Sequence, residues 1–187
     1  MNKKQRGFVI AGVVAFSTVV VIGGAFGLSS ALTPSQAGAE LPSTINAEDI
    51  GDGGVEASTV KLVADTKNFQ VWTATDRKGN VCTISLAIPE GNSGSVCTPK
   101  EEFEIHGSSS SVQVGTAEQG DLNTTYIQAY RLPPSVNVKA ARASVLDSEV
   151  YGDVLVRYGQ VDQRGTAKVE LPTRSGDSVE LQLLGAN

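Results

Sequence analysis

The chain has 187 residues, with 15 Lys and Arg against 20 Asp and Glu and a formal net charge of −5. All 20 acidic residues lie from Glu40 onward, so that part of the chain carries 12 basic against 20 acidic groups, a net −8. A field of that sign disfavours nucleic acid and anionic membrane surfaces as ligands, and one histidine with two cysteines, without further soft ligands at zinc spacing, makes a poor zinc-ligand set.

Three basic residues, Lys3, Lys4 and Arg6, open the chain and form a short cytoplasmic segment, 1–6. Gly7 to Leu28 then run without a charge and are mostly Val, Ala, Gly, Phe and Ile. At 1.5 Å per residue this stretch can cross a hydrocarbon core of about 30 Å. The basic flank stays inside, which places the remainder outside the cell membrane in a single-pass arrangement. Ala37-Gly38-Ala39 and Ser29-Ser30-Ala31 have the small-x-small pattern of a cleavage site. The expected state is an uncleaved anchor, and a form secreted after cleavage near Ala39 is the alternative.

Residues 29–54 are small, polar and Gly/Pro-containing, and are expected to be a flexible tether with a brief helical turn within Ser43 to Ile50. The extracytoplasmic domain is expected over 55–187. Val55 to Asp65 fits strand or helix, with a slight preference for helix. Phe69 to Thr75, bearing Trp72, reads as a strand. After the turn Asp76 to Asn80, apolar Cys82, Ile84, Leu86 and Ile88 alternate with mostly small or polar neighbours, the period of a half-buried strand.

Beyond the Pro89–Gly94 loop, Ser95 to Thr98 returns as a short strand carrying Cys97. Glu102-Phe103-Glu104-Ile105-His106 alternates as a strand would, with Phe103 and Ile105 on one face. Further strands are expected at Ser111 to Thr116, Thr124 to Leu132 and Asp153 to Tyr158. Pro133-Pro134 ends the second of these, and a subdivision near 133–135 is left open. A helical turn is expected at Ala140 to Ala143, and Ala167–Leu171 with Ser178–Leu184 are expected to form a hairpin. Roughly eight strands argue a mainly β fold, an antiparallel sheet or sandwich with Trp72 as its large anchor.

Two cysteines in an exported chain pair as one disulfide, Cys82 to Cys97, on the buried face of neighbouring strands with Cα atoms about 4.4 to 6.8 Å apart.

Trp72, Gly79-Asn80-Val81-Cys82, Cys97 and Tyr130-Arg131-Leu132-Pro133 resemble small extracytoplasmic two-cysteine domains that follow one N-terminal membrane helix in high-GC Gram-positive bacteria. In those, an aromatic strand, a Gly-x-Val-Cys strand, a second cysteine and a Leu-Pro turn recur. The resemblance implies an exported location and a disulfide, and carries no activity with it.

Catalytic signals are weak. Gly91-Asn92-Ser93-Gly94 looks like a serine-protease nucleophile loop, but such a triad needs a histidine that precedes the serine, and His106 follows it. His106 reads as a turn residue, and Glu102 and Glu104 beside it as a solvated face. Asp147, Glu149 and Asp153 qualify as paired carboxylates by residue type alone. Leu41-Pro42-Ser43-Thr44 starts like a sortase signal, but Ile45 follows it where that signal has glycine.

No catalytic, cofactor or metal residues are assigned, and no cofactor is expected. The expected function is a non-enzymatic binding or structural accessory domain of the bacterial envelope, anchored in the membrane and serving an envelope protein partner. A small wall-modifying hydrolase using carboxylates and the outer subunit of a membrane assembly are the alternatives.

Overall fold

Alternation in Val81 to Ala87 becomes an interior strand of the first sheet, buried on both faces. In the computed structural model, which describes residues 36–37, 39–115, 123–145, 147–162 and 166–184, this stretch is β4 of a five-stranded antiparallel meander. Its order is β1 (Gln36–Ala37), β2 (Lys61–Asp65), β3 (Phe69–Thr75), β4 (Val81–Ala87) and β5 (Ser93–Thr98). A short helix α1 (Lys100–His106) leads to β6 (Ser108–Gln113) and then β7 (Asn123–Arg131). Helix α2 (Val138–Ser144), β8 (Ser148–Tyr151) and β9 (Val154–Asp162) follow, and the second sheet has the order β6-β7-β9-β8. Last come β10 (Thr166–Pro172) and β11 (Ser178–Leu184), a separate two-stranded hairpin.

Side chains alternate across these strands, so each sheet separates two apolar layers. Phe69, Val71 and Ala87 of the first sheet meet Val112, Ile127, Ala129, Val154 and Val156 of the second, forming the interior of a sandwich. Part of this interior is polar: Ser85 and Ser110 share a buried hydroxyl–hydroxyl hydrogen bond of 2.6 Å. On the far side of the first sheet, Trp72, Ile84 and Leu86 are covered by Ile45, Ile50, Val55 and Val60. Beyond the second sheet, Tyr130 and Leu155 are covered by Ala141 and Val145 together with Leu171, Leu181 and Leu183 of the hairpin.

The mainly β, antiparallel class is as expected, and four details differ. Glu102 to His106 is helical. Phe103 is its one buried residue, Ile105 is 59 % exposed, and the alternation is not a sheet face. Val55 to Asp65 divides into a 3-10 turn at Ala57–Thr59 and the strand β2, contrary to the slight preference for helix. Residues 39–54 are no free tether: Ile45 and Ile50 are core residues, and a 3-10 turn at Ala47–Asp49 sits between them. Finally, β6 runs from Ser108 to Gln113, starting ahead of the expected Ser111 to Thr116. The expected cytoplasmic segment 1–6, the expected span 7–28 and residues 29–35 of the expected tether lie outside the described residues. Among the described residues no helix is long and apolar enough to cross a membrane.

Cys82 and Cys97 are directly opposite in the β4/β5 ladder and are joined by a disulfide. Their Cα atoms are 4.0 Å apart, below the expected range, because the two residues face each other squarely across adjacent strands. A structural disulfide belongs to a protein folded in an oxidising compartment. The bridge closes a 15-residue separation, so the Cys82→Ala/Cys97→Ala double variant is expected to lose about 3 kcal/mol of stability. Denaturant titration of both forms checks this, and intact mass should rise by two hydrogens on reduction.

Candidate functional site

Three strands present an open side toward one another. β5 is the edge of the first sheet, β6 is the edge of the second, and the two-stranded hairpin leaves one side of β11 without a ladder partner. Residues of all three line a cavity of about 530 Å³ that runs on into another of about 430 Å³, the two sharing Val96, Ser109 and Gln182. Together they form a groove within the size range of ligand sites, 300–1,000 Å³.

Backbone proximity shapes both ends of this groove. At one end a Cβ on Gly94 would lie 2.6 Å from the Ser111 carbonyl oxygen, so β5 and β6 touch there and only glycine fits. At the other end Gly107 has φ +74°, and a Cβ on it would fall 2.5 Å from the Arg131 carbonyl oxygen. Gly107 therefore stops α1 and lets the chain turn tightly against the end of β7.

Arg131 fixes that corner. Its guanidinium lies 5.3 Å from the centre of the Phe103 ring and pairs with Asp153 at 3.1 Å. The wall is apolar where Val96 (43 % exposed) and Ile105 stand out, and these two with Tyr158 are the exposed large hydrophobic residues among those described. Ser109, His106 and Glu180 supply its polar part. Glu101, Glu102 and Glu104 are exposed on α1, the helix whose Ile105 and His106 line the groove.

Residues singled out as potentially catalytic do not converge. Ser93 lines a separate, shallow cavity with Ile45 and Asn46, whereas His106 lines the groove. Asp153 is engaged with Arg131, while Asp147 and Glu149 line a different cavity beside Tyr158. Glu149 accepts a hydrogen bond from the Tyr151 hydroxyl, and burial and that anionic neighbour push the phenol's pKa up.

A clasp absent from the sequence reading lies next to the disulfide. Asp76, fully buried, brings its carboxylate within 4.8 Å of both cysteine sulfurs. Oδ1 accepts from the backbone N–H of Lys78 (2.9 Å) and Asn80 (2.8 Å). Oδ2 accepts from the Asp52 N–H (3.0 Å) and the Asn80 amide (2.8 Å). Burial alone would raise the pKa, but these four donors outweigh it and hold the carboxyl below its usual range. With the sulfurs bonded to each other and the oxygens saturated with donors, the cluster is a fastening for residues 51–52, not a metal site. Two exposed ion pairs, Arg77–Glu48 and Lys78–Asp52, flank it. The signal for it was the spacing Asp76-x-Lys78-x-Asn80, in which an aspartate caps the N–H groups of its own turn.

Comparison with family models, with curated proteins and with solved structures finds no match for this chain.

Proposed function

We propose that this chain is a membrane-anchored extracytoplasmic protein of a bacterial envelope, held by residues 7–28. In this reading its β domain acts without catalysis by binding an extended segment of a partner protein in the groove of β5, β6 and β11. The observation that carries it is the meeting of three open strand sides at one groove, with Val96 and Ile105 exposed along it. An extended chain takes up backbone hydrogen bonds at such a side and seats alternate side chains on the apolar wall. Charge favours a basic segment: the part of the chain from Glu40 on is net −8, and three exposed glutamates lie on α1, the helix whose Ile105 and His106 line the groove. If that segment belongs to a neighbouring membrane protein, the chain is the outer subunit of an assembly.

Selection of random linear peptides on the full-length protein tests the binding role. Binders are expected to be basic and rich in β-forming residues, and to weaken about tenfold or more on Val96→Asp and on Ile105→Asp, the loss of one buried apolar contact. Binders indifferent to both substitutions would remove the groove from consideration. Membrane fractionation tests the anchor: the intact chain should sediment with membranes, and a mature form starting near Glu40 in the medium would establish secretion instead.

A further inference from the structure

Away from the groove, β8 stops short of its neighbour. It pairs with β9 only from Val154 to Arg157, so the strand beyond that point has β7 alone as partner. Two cavities of about 270 and 200 Å³ occupy this corner, and both are lined by Tyr158 and Asp147.

The Tyr158 ring is stacked on Phe69, with centroids 5.9 Å apart and planes 29° apart, yet Tyr158 remains 40 % exposed. Tyr151 holds Phe69 from the side, ring edge to ring face at 87°. The aromatic cluster thus presents one supported ring to solvent. Polar groups surround it: Asn68 and Glu149 in the larger cavity, Tyr126 and Gln160 in the smaller, and Asp147 in both. Asp147 is exposed, stands at φ 55°, and its carboxylate has no hydrogen-bond or ion-pair partner among the described residues.

We propose that this corner binds a glycan chain, with a pyranose ring stacked on Tyr158 and its hydroxyls held by Asp147. The chemistry of each half fits. The axial C–H bonds of a pyranose carry slight positive charge and match the negative face of an aromatic ring. Neighbouring hydroxyls donate in parallel to the two oxygens of an ionised carboxylate. Both cavities are smaller than a pocket that encloses a drug-sized molecule, and they suit successive rings of a chain lying across the surface. A quaternary ammonium ion, the other ligand drawn to aromatic rings and acids, prefers several ring faces around it. Here Phe69 is stacked on Tyr158 and lies edge-to-face with Tyr151, which leaves Tyr158 to act as a platform.

Titration calorimetry of the full-length protein in detergent, with N-acetylglucosamine tetramer and cellotetraose as probes and choline as the cationic control, decides the matter. At least one oligosaccharide is expected to bind, with affinity falling about tenfold or more in Tyr158→Ala and several-fold in Asp147→Asn. Asparagine is at home at that φ, so the second variant keeps the fold. Tyr158→Phe should bind within about twofold of the natural chain, because the ring face remains. Val96→Asp should leave sugar binding unchanged, which separates this site from the peptide groove. Absence of binding by both oligosaccharides at millimolar concentration, affinity indifferent to Tyr158→Ala and Asp147→Asn alike, or binding of choline alone would overturn the proposal.

Discussion

Replacing Asp76 with alanine is expected to destabilise the domain by about 3 kcal/mol, since four donors to a buried anion lose their acceptor together. In a chain of this size that corresponds to a melting temperature lower by roughly 6 to 12 °C. Asparagine should not rescue it. Each carboxylate oxygen accepts from two N–H groups, so either orientation of an amide sets an NH2 group against two donors. The pH dependence has a definite sign. The folded pKa of Asp76 is depressed below 3.8, so its contribution is complete above that value and disappears as pH falls through the folded pKa. Thermal melts of the natural chain and Asp76→Ala should therefore differ by a constant amount above about pH 5, and the gap should narrow as pH falls below about 4. A gap that stays constant into strong acid would show that the carboxylate's charge is not what holds the turn.

Trp72→Ala should cost about 3 to 5 kcal/mol, the range for removing a large aromatic from a core. Trp72 stands between Leu62 and Ile84 in the strand register, and it lies in the layer that Ile45 and Ile50 close from outside. Its removal should therefore loosen residues 39–54 first, visible as earlier proteolysis there than in the natural chain. Trp72→Phe is the informative partner. The indole N–H is buried without an acceptor among the described residues, a burden of about 1 to 3 kcal/mol that phenylalanine does not carry. Phenylalanine gives up packing volume but removes that donor, so its net cost should stay within about 1 kcal/mol. Denaturant titration of the three forms distinguishes a packing role, which predicts this order, from one that depends on the indole N–H.

Much of the fold was legible where one period dominates. β4 alternates over its whole length, and the register of the closing hairpin, Leu171 opposite Val179 and Val169 opposite Leu181, follows the alternation of both strands. Short apolar runs misled. Phe103 and Ile105 two apart satisfy a strand pattern, although Glu101 and Glu102 in a first turn, His106 in a last turn and Gly107 beyond it are helix-end signals. The cover of the first sheet was invisible for another reason. Ile45, Ile50, Val55 and Val60 recur every five residues, which matches neither a strand nor a helix, so no periodicity search finds a segment that dips into the core once per loop.

The site was harder to read than the fold. The groove depends on where β11 ends up against β5 and β6, and β11 comes from the far end of the chain. Phe69 and Tyr158 are likewise 89 residues apart in sequence and meet only because the two sheets pack. Asp147 was legible as a residue type, but its place beside an aromatic ring was not.

The clasp at Asp76 has a mechanical consequence. Residues 39–60 lie over the first sheet and are fastened at the β3–β4 turn by the carboxylate and two ion pairs. A pull on the N-terminal side of the chain that has freed the two-residue strand β1 reaches this cover before the rest of the sandwich. Once the clasp yields, those residues can pay out to roughly 75 Å of extended chain, while the disulfide keeps Cys82 to Cys97 from lengthening at all. The domain is thus built with slack on its N-terminal side and an inextensible stop behind it, an arrangement that lets tension be absorbed before it reaches the second sheet.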